Sequence, residues 1–267
     1  MTIYFRKFTR VAAFLISFSV LLLSSCNPGN QRLENAKSED VWLNVSRDYG
    51  EFSLTGKVVD ETGMPLKDVV VVLCSSVCRP VLTDERGRYN FREIKSGFYL
   101  LDFRGDDVLP YRRTSVIFPI NISKKIEKLM PVVLLPITSG IRTDDGLGVD
   151  IAGLKLMSDK RANLQMLDGT KIPTEYWPSY QLENGGRKYF PLAMWALSPF
   201  GENGLKNLFL KGAYIEGKWS GDVGFFLVNI ETGSCDWIGD AIMTEGLVTN
   251  KKLPLNTLSW IVLAKQD

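Results

Sequence analysis

The sequence predicts an all-β protein: two antiparallel β-sandwich domains in tandem behind a tether. Three observations carry that expectation. From residue 52 onward, short alternating or wholly apolar runs of strand length recur, as in "FSLTGKVVD", "LKDVVVVL" and "LSWIVLAK". Clusters of Gly, Asp, Asn, Pro and Ser punctuate them, as in "ETGMP", "DGT", "ENGG" and "ETGS". No long stretch has the three-to-four-residue apolar periodicity of a helix.

Residues 1–25 stand apart. Arg6, Lys7 and Arg10 precede a 13-residue segment, "VAAFLISFSVLLL", that is apolar apart from two serines. A bilayer span needs roughly 20 apolar residues, so the segment predicts a signal peptide. It ends in "LSSC", which resembles the bacterial lipobox. That resemblance implies a diacylglyceryl thioether on Cys26, cleavage before it and acylation of the new amino group. A protein held by two or more acyl chains stays on a membrane, whereas one chain binds only marginally. Asn27 follows the cysteine where Asp would resemble an inner-membrane retention signal, so the expected location is the cell envelope, at the outer membrane. Residues 26–50 are polar and aperiodic and form the expected lipidated tether.

Residues 51–138 are the first predicted sandwich. "FSLTGKVVD", a turn at "ETGMP" and "LKDVVVVL" read as strand, turn and strand. "RPVLTDERGRYNF" adds two strands about a turn at Gly87, and "SGFYLLDF" another strand after Gly97. "GKVVDETGMPLKDVVVVL", "TDERGRYNF" and "SGFYLLDF", in this order, resemble the carboxypeptidase regulatory-like domain. The resemblance implies a transthyretin-type sandwich in an accessory, non-catalytic role. Asp84 is expected to accept backbone N–H groups in its turn. A related module forms Lys–Asn isopeptide bonds, but no acid and Asn can be assigned to Lys57, so none is expected here. "CSSVC" places Cys74 and Cys78 at a predicted hairpin tip, where a disulfide would close a small loop in an oxidising compartment. Two thiols alone are an incomplete metal site.

Residues 139–267 are the second β-rich domain. Asp144, Asp145 and Asp150 cluster near its start, without the ligand order of a calcium loop, and read as an exposed turn. Cys235 is the odd cysteine and is expected to be a buried free thiol. Five of the six tryptophans fall here. Apolar surroundings predict core positions for most of them, whereas Trp177 and Tyr180, in "TEYWPSYQ", are the candidate surface contacts. "LDGTKIP", "YFPLAMWAL", "GDVGFFLVNIETGSCDWIG" and "LSWIVLAK" resemble the extracellular β-rich region of the astroprincin and cartilage intermediate layer protein families. Thr232, Gly233 and Gly239 fit that pattern, while Asn229 and Cys235 stand where Asp and Trp are common. The resemblance implies a second extracytoplasmic sandwich and no active residue.

Composition narrows function. The chain has no histidine, which excludes Ser-His-Asp and Cys-His nucleophile systems and His-ligated metals. No metal or other cofactor is expected. Residues 1–25 hold three of the 32 basic residues and none of the 30 acidic ones, so the remainder is slightly acidic. Nucleic acid is therefore not an expected partner. "YRRTS" (111–115) and "SKKIEK" (123–128) are the densest basic spots and read as solvated strand ends or turns. The leading expectation is a non-catalytic, lipid-anchored envelope protein that binds or scaffolds an envelope protein or glycan. A carboxylate-dependent glycan hydrolase is the alternative, with Asp222, Glu231, Asp236, Asp240 and Glu245 as candidates. An accessory subunit of an envelope transport or secretion assembly is the third reading.

Overall fold

Alternation along single strands decides which way each side chain points. In "RYNFREI", Tyr89 and Phe91 are buried while Arg88 and Asn90 are exposed, the pattern of a strand with one face on a core. The computed structural model describes residues 50–106, 112–159, 164–165, 167–201 and 207–267. The leader, Cys26 and the tether up to residue 49 lie outside the described residues.

Eight strands build the first lobe: β1 (Phe52–Val59), β2 (Val70–Cys74), β3 (Cys78–Leu82), β4 (Arg88–Ile94), β5 (Gly97–Arg104), β6 (Val116–Ile122), β7 (Ile126–Lys128) and β8 (Val132–Val133). One sheet runs β4-β1-β7 with β8 also on β1, and the other runs β3-β2-β5-β6. Leu54, Val58, Tyr89 and Phe91 of the first sheet share one core with Val71, Leu73, Leu101 and Phe103 of the second. Across it the Tyr89 ring meets Phe103 edge-on, 5.5 Å between centroids. The outer strands of the second sheet, β3 and β6, carry Pro80 and Pro119.

Two local devices fix the turns of this lobe. Asp84 accepts the N–H groups of Arg86 and Arg88, both at 2.9 Å, and the Arg88 guanidinium at 2.7–2.9 Å. That guanidinium, followed by the backbone bonds, lowers the Asp84 carboxyl to about 2. The same turn needs Gly87, which sits at φ 69°. At the β2–β3 tip, Cys74 and Cys78 are opposite each other in register and joined by a disulfide.

The second lobe comprises β9 (Ile141–Arg142), β10 (Gly148–Ile151), β11 (Leu154–Ser158), β12 (Asp168–Ile172), β13 (Glu183–Asn184), β14 (Arg187–Ser198), β15 (Leu208–Tyr214), β16 (Gly221–Val228), β17 (Cys235–Thr244), β18 (Leu247–Pro254) and β19 (Trp260–Gln266). They form one sheet, ordered β12-β14-β19-β16-β17-β18-β15-β11-β10-β9, with β13 on β14. The sheet curls until its ends meet. Thr138, just before β9, exchanges two backbone hydrogen bonds with Gly169 of β12 at 3.1 and 3.2 Å. Asp168 pins the same seam, accepting from Arg142 at 3.4 Å and from Arg112 of the first lobe at 2.5 Å. Inside the curl, Trp195, Phe225, Leu210, Ile261 and Leu263 are all but inaccessible to solvent. Each such side chain contributes roughly 1.5–3 kcal/mol by burial.

The protein is all-β, as its alternation implies, but the two lobes do not each keep a core to themselves. Met194, Ala196, Phe226, Trp260 and Val262, on the outward side of β14, β16 and β19, belong to the first lobe's apolar cluster. The described residues accordingly form one compact unit. The basic spot at 111–115 is also not a freely solvated turn. The Arg113 side chain is only 12% exposed and bonds Glu61 at 2.7 Å and the Leu134 carbonyl at 2.9 Å, while Arg112 holds Asp168.

Candidate functional site: a groove across the outer sheet face

The residues of β16 and β17 alternate in and out, and one bulge decides what the outer face presents. Val223 and Phe225 point into the curl, so Asp222, Gly224 and Phe226 point outward. On β17, Ala241 and Met243 point inward, leaving Asp240 and Ile242 outside. Below them the register slips: Gly239 is opposite Phe225, but Trp237 is opposite Phe226, so Ile238 is an extra residue. A bulge of this kind reverses the phase of the strand. Trp237 therefore lands on the outer face beside Phe226, 37% exposed.

The consequence is a groove. Ala264, Gly224 and Asp240 lie side by side on β19, β16 and β17, and the first two have almost no side chain. Tyr189 and Trp237 fill the space over this row, so Gly224 and Ala264 are buried beneath them, and the groove opens beside them over Asp222, Asp240 and Ile242. A Cβ built on Gly224 would meet Trp237 Nε1 at 3.3 Å and Tyr189 Cε1 at 3.4 Å. β17 and β18 pair only from Ile242 to Thr244 and Leu247 to Thr249, and Leu253 shows in the opening beyond. The groove has a volume of about 760 Å³ and is lined also by Arg187, Asp222, Ile242, Thr249 and Gln266, a size typical of small-molecule sites. Its polar groups are largely uncommitted: Arg187 reaches Gln266 at 3.5 Å, while the Asp222 and Asp240 carboxylates accept no hydrogen bond from the described residues.

Of the five candidate carboxylates, only Asp222 and Asp240 share the groove. Asp222 pairs with Ile242 and Gly224 with Asp240, so the two acids are diagonal neighbours on one face, roughly 7–8 Å apart. Both are exposed. Glu231 lies in the β16–β17 turn, and Glu245 is at the β17–β18 tip with φ 50°. Asp236 accepts from Asn229 at 2.8 Å in the same turn as Glu231. There Asn229 also receives the N–H groups of Glu231 and Thr232, at 2.8 and 3.2 Å.

The tryptophans depart from expectation. Trp195 and Trp260 are buried, but Trp219 is 50% exposed and Trp237 partly so. Trp177 and Tyr180 are half-buried and turned toward the chain itself. Trp177 donates to the Ile172 carbonyl at 2.8 Å. Tyr180 donates to the Ile117 carbonyl of β6 at 3.1 Å and stands edge-on to Trp260. They serve the junction between lobes, because the loop 173–182 is laid over it. Tyr180 and Cys235 border a second groove of about 560 Å³ at that junction with Phe118 and Pro119. Burial pushes the Cys235 thiol up to about 12, with the Asp236 charge adding to it. Burial also raises the Tyr180 hydroxyl, with Cys235 second. The thiol is free. Asp145 and Asp150 serve separate turns, accepting from Leu147 at 2.8 Å and from Gly153 at 2.7 Å.

Sequence reasoning missed Arg187, Tyr189, Thr249 and Gln266. The available signal was Gly224, a glycine in the middle of "GDVGFFLV", since such a residue marks close approach by another group.

No family model matches the chain, and no curated protein matches it. Among the solved structures that resemble it are three of bacterial proteins. A Pseudomonas aeruginosa protein described as a proposed carbohydrate-binding protein shares 13% identity with TM-score 0.25, over 39% of this chain and 99% of its own. Klebsiella pneumoniae 5-hydroxyisourate hydrolase shares 20% identity with TM-score 0.26, over 33% and 88% respectively. A DUF3823 family protein from Bacteroides ovatus shares 11% identity with TM-score 0.26, over 80% and 95%. Likenesses this weak decide neither fold nor activity, and both rest on the geometry of the chain itself.

Proposed function

We propose that this chain is a non-catalytic binding module of the bacterial cell envelope, anchored through lipid on Cys26, with the outer-face groove as its ligand site. One observation carries the binding reading: the groove gathers the carboxylates of Asp222 and Asp240, whose oxygens accept no hydrogen bond from the described residues. Groups left free on a rigid sheet are preorganised for a ligand. The anchor is supported by the basic start, the short apolar run and the "LSSC" box. The partner is an envelope protein or glycan, and no cofactor is required.

The hydrolase alternative has one observation in its favour, the proximity of Asp222 and Asp240. Glycoside hydrolysis needs two carboxyls flanking the scissile bond. Here they stand side by side on one sheet face, both open to solvent, without the apolar enclosure that keeps a general acid protonated. Binding is the better fit.

The test is cross-linking in intact cells with a C-terminally tagged chain, alongside Cys26→Ser. The expected result is a membrane-fraction protein that Cys26→Ser releases, with a retained envelope partner. Turnover of a glycan by the purified chain, abolished by Asp240→Asn, would refute the non-catalytic reading.

A further inference from the structure

We infer that the outer face of the first lobe's β4-β1-β7 sheet docks on an anionic lipid bilayer, a membrane contact separate from the groove and from Cys26. Alternation gathers the residues concerned on one side of the sheet. Leu54 and Phe91 face the core, so Thr55, Lys57, Arg88, Asn90 and Arg92 face the other way. β7 runs parallel to β1 and adds Ile126 beside Ser53 and Lys128 beside Thr55 on that same outer face. The basic run at 123–128 is thereby laid next to cations from β1 and β4.

Positive charge is in excess there. Asp84 pairs with Arg88, and Glu51 with Lys125 at 3.2 Å. Lys57, Arg92, Lys124 and Lys128 make no ion pair among the described residues. Against them stands Glu93, exposed near the end of β4, while Glu127 is opposite Leu54 and turns to the other side. Lys57 is also directly opposite Arg88, a like-charge arrangement that costs the fold stability. An anionic surface turns that cost into attraction.

Two aliphatic side chains decide between a bilayer and a soluble polyanion. Ile126 is 70% exposed, and Met130, two residues beyond Lys128, is 83% exposed. A soluble anionic glycan would leave both in water. At a bilayer they bury at the boundary of headgroups and acyl chains, while the lysine stems reach back to the phosphates. The partner is therefore a lipid surface.

The experiment mixes the full-length chain with vesicles of phosphatidylcholine, alone or with an equal part of phosphatidylglycerol. Oxidation of Met130 by peroxide is followed by mass spectrometry, with Met64, 62% exposed in the turn after β1, as the internal reference. Anionic vesicles should slow Met130 oxidation roughly fivefold or more relative to Met64, and neutral vesicles should not, because each lysine gains only at an anionic surface. High salt and the double variant Lys57→Glu/Lys128→Glu should abolish the protection, and Ile126→Ser should weaken it, with melting temperatures unchanged. Equal oxidation on both kinds of vesicle would overturn the proposal, as would protection that survives the charge reversal. Protection by soluble oligogalacturonate but not by vesicles would overturn the lipid surface in favour of an anionic glycan. The comparison is between lipid charges on one chain, so the Cys26 anchor and the groove still stand or fall on the cross-linking.

Discussion

Trp260 and Ser115 are 145 residues apart, yet the Trp260 indole N–H donates to the Ser115 carbonyl at 2.6 Å inside the shared core. Their bond joins the last strand of the chain to the start of β6, and so ties the two lobes together. Trp260→Phe keeps most of the ring but leaves that buried carbonyl without its donor. An orphaned acceptor costs about 1–3 kcal/mol. Urea unfolding followed by far-UV circular dichroism should show this loss for Trp260→Phe, with both lobes still unfolding in one transition. Two separated transitions in the variant would mean that the bond is what couples the lobes.

Asp168 closes the long sheet by holding Arg142 and Arg112. Asp168→Asn should lower stability by about 1–2 kcal/mol, since the pairs are partly exposed and water screens them. Amide exchange should rise first at Gly169, whose bonds to Thr138 form the seam. Unchanged exchange there would show that the backbone bridge holds without the ion pairs.

Asp84 predicts a pH dependence. Its folded-state carboxyl titrates at about 2, below the ordinary 3.8, chiefly because of Arg88. The stabilisation is complete above about 3.8, because there the carboxylate is charged in both the folded and unfolded chain. It is lost as pH falls through 2, when the folded chain must take up a proton that the unfolded chain already holds. Melting temperatures measured from pH 5 to 2 should therefore fall less steeply in Asp84→Asn than in the parent. Parallel curves would remove Asp84 from the acid response.

Cys235 should behave as an inert thiol. Its folded-state value of about 12 exceeds the ordinary 9.0 because of burial, so the thiolate is scarce at pH 8. In the Cys26→Ser chain, a thiol reagent at pH 8 should label about one group, slowly when folded and quickly in urea. The same shift lowers stability as pH rises from 9 towards 12, where the unfolded chain ionises first. Fast labelling of the folded chain would contradict the burial.

Local features were legible in the sequence, and features set by register were not. The Asp84 turn could be read from "TDERGRY" because its bonds span four residues. The strands announced themselves by alternation, and Trp195 by its apolar neighbours. The position of Trp237 is not legible because simple alternation puts it on the same side as Gly239 and Ala241, and only the extra Ile238 in the ladder reverses it. Trp177 and Tyr180 looked like surface residues for the complementary reason. Their polar, proline-containing segment is laid over the junction between lobes, which is a long-range arrangement. The groove gathers residues from β14, β16, β17, β18 and β19, so only the sheet order reveals it.

The prolines on the outer strands β3 and β6 bear on how copies of this chain behave when crowded. A free strand edge is a template onto which a neighbouring chain can add its own backbone. Pro80 and Pro119 each remove an N–H from such an edge, and Arg79 adds charge beside the first. With the other lobe's long sheet closed on itself at Thr138 and Gly169, few ladders remain open. Strand exchange between densely packed copies would therefore have to start at the other outer strands of the first lobe, β4 and the short β7.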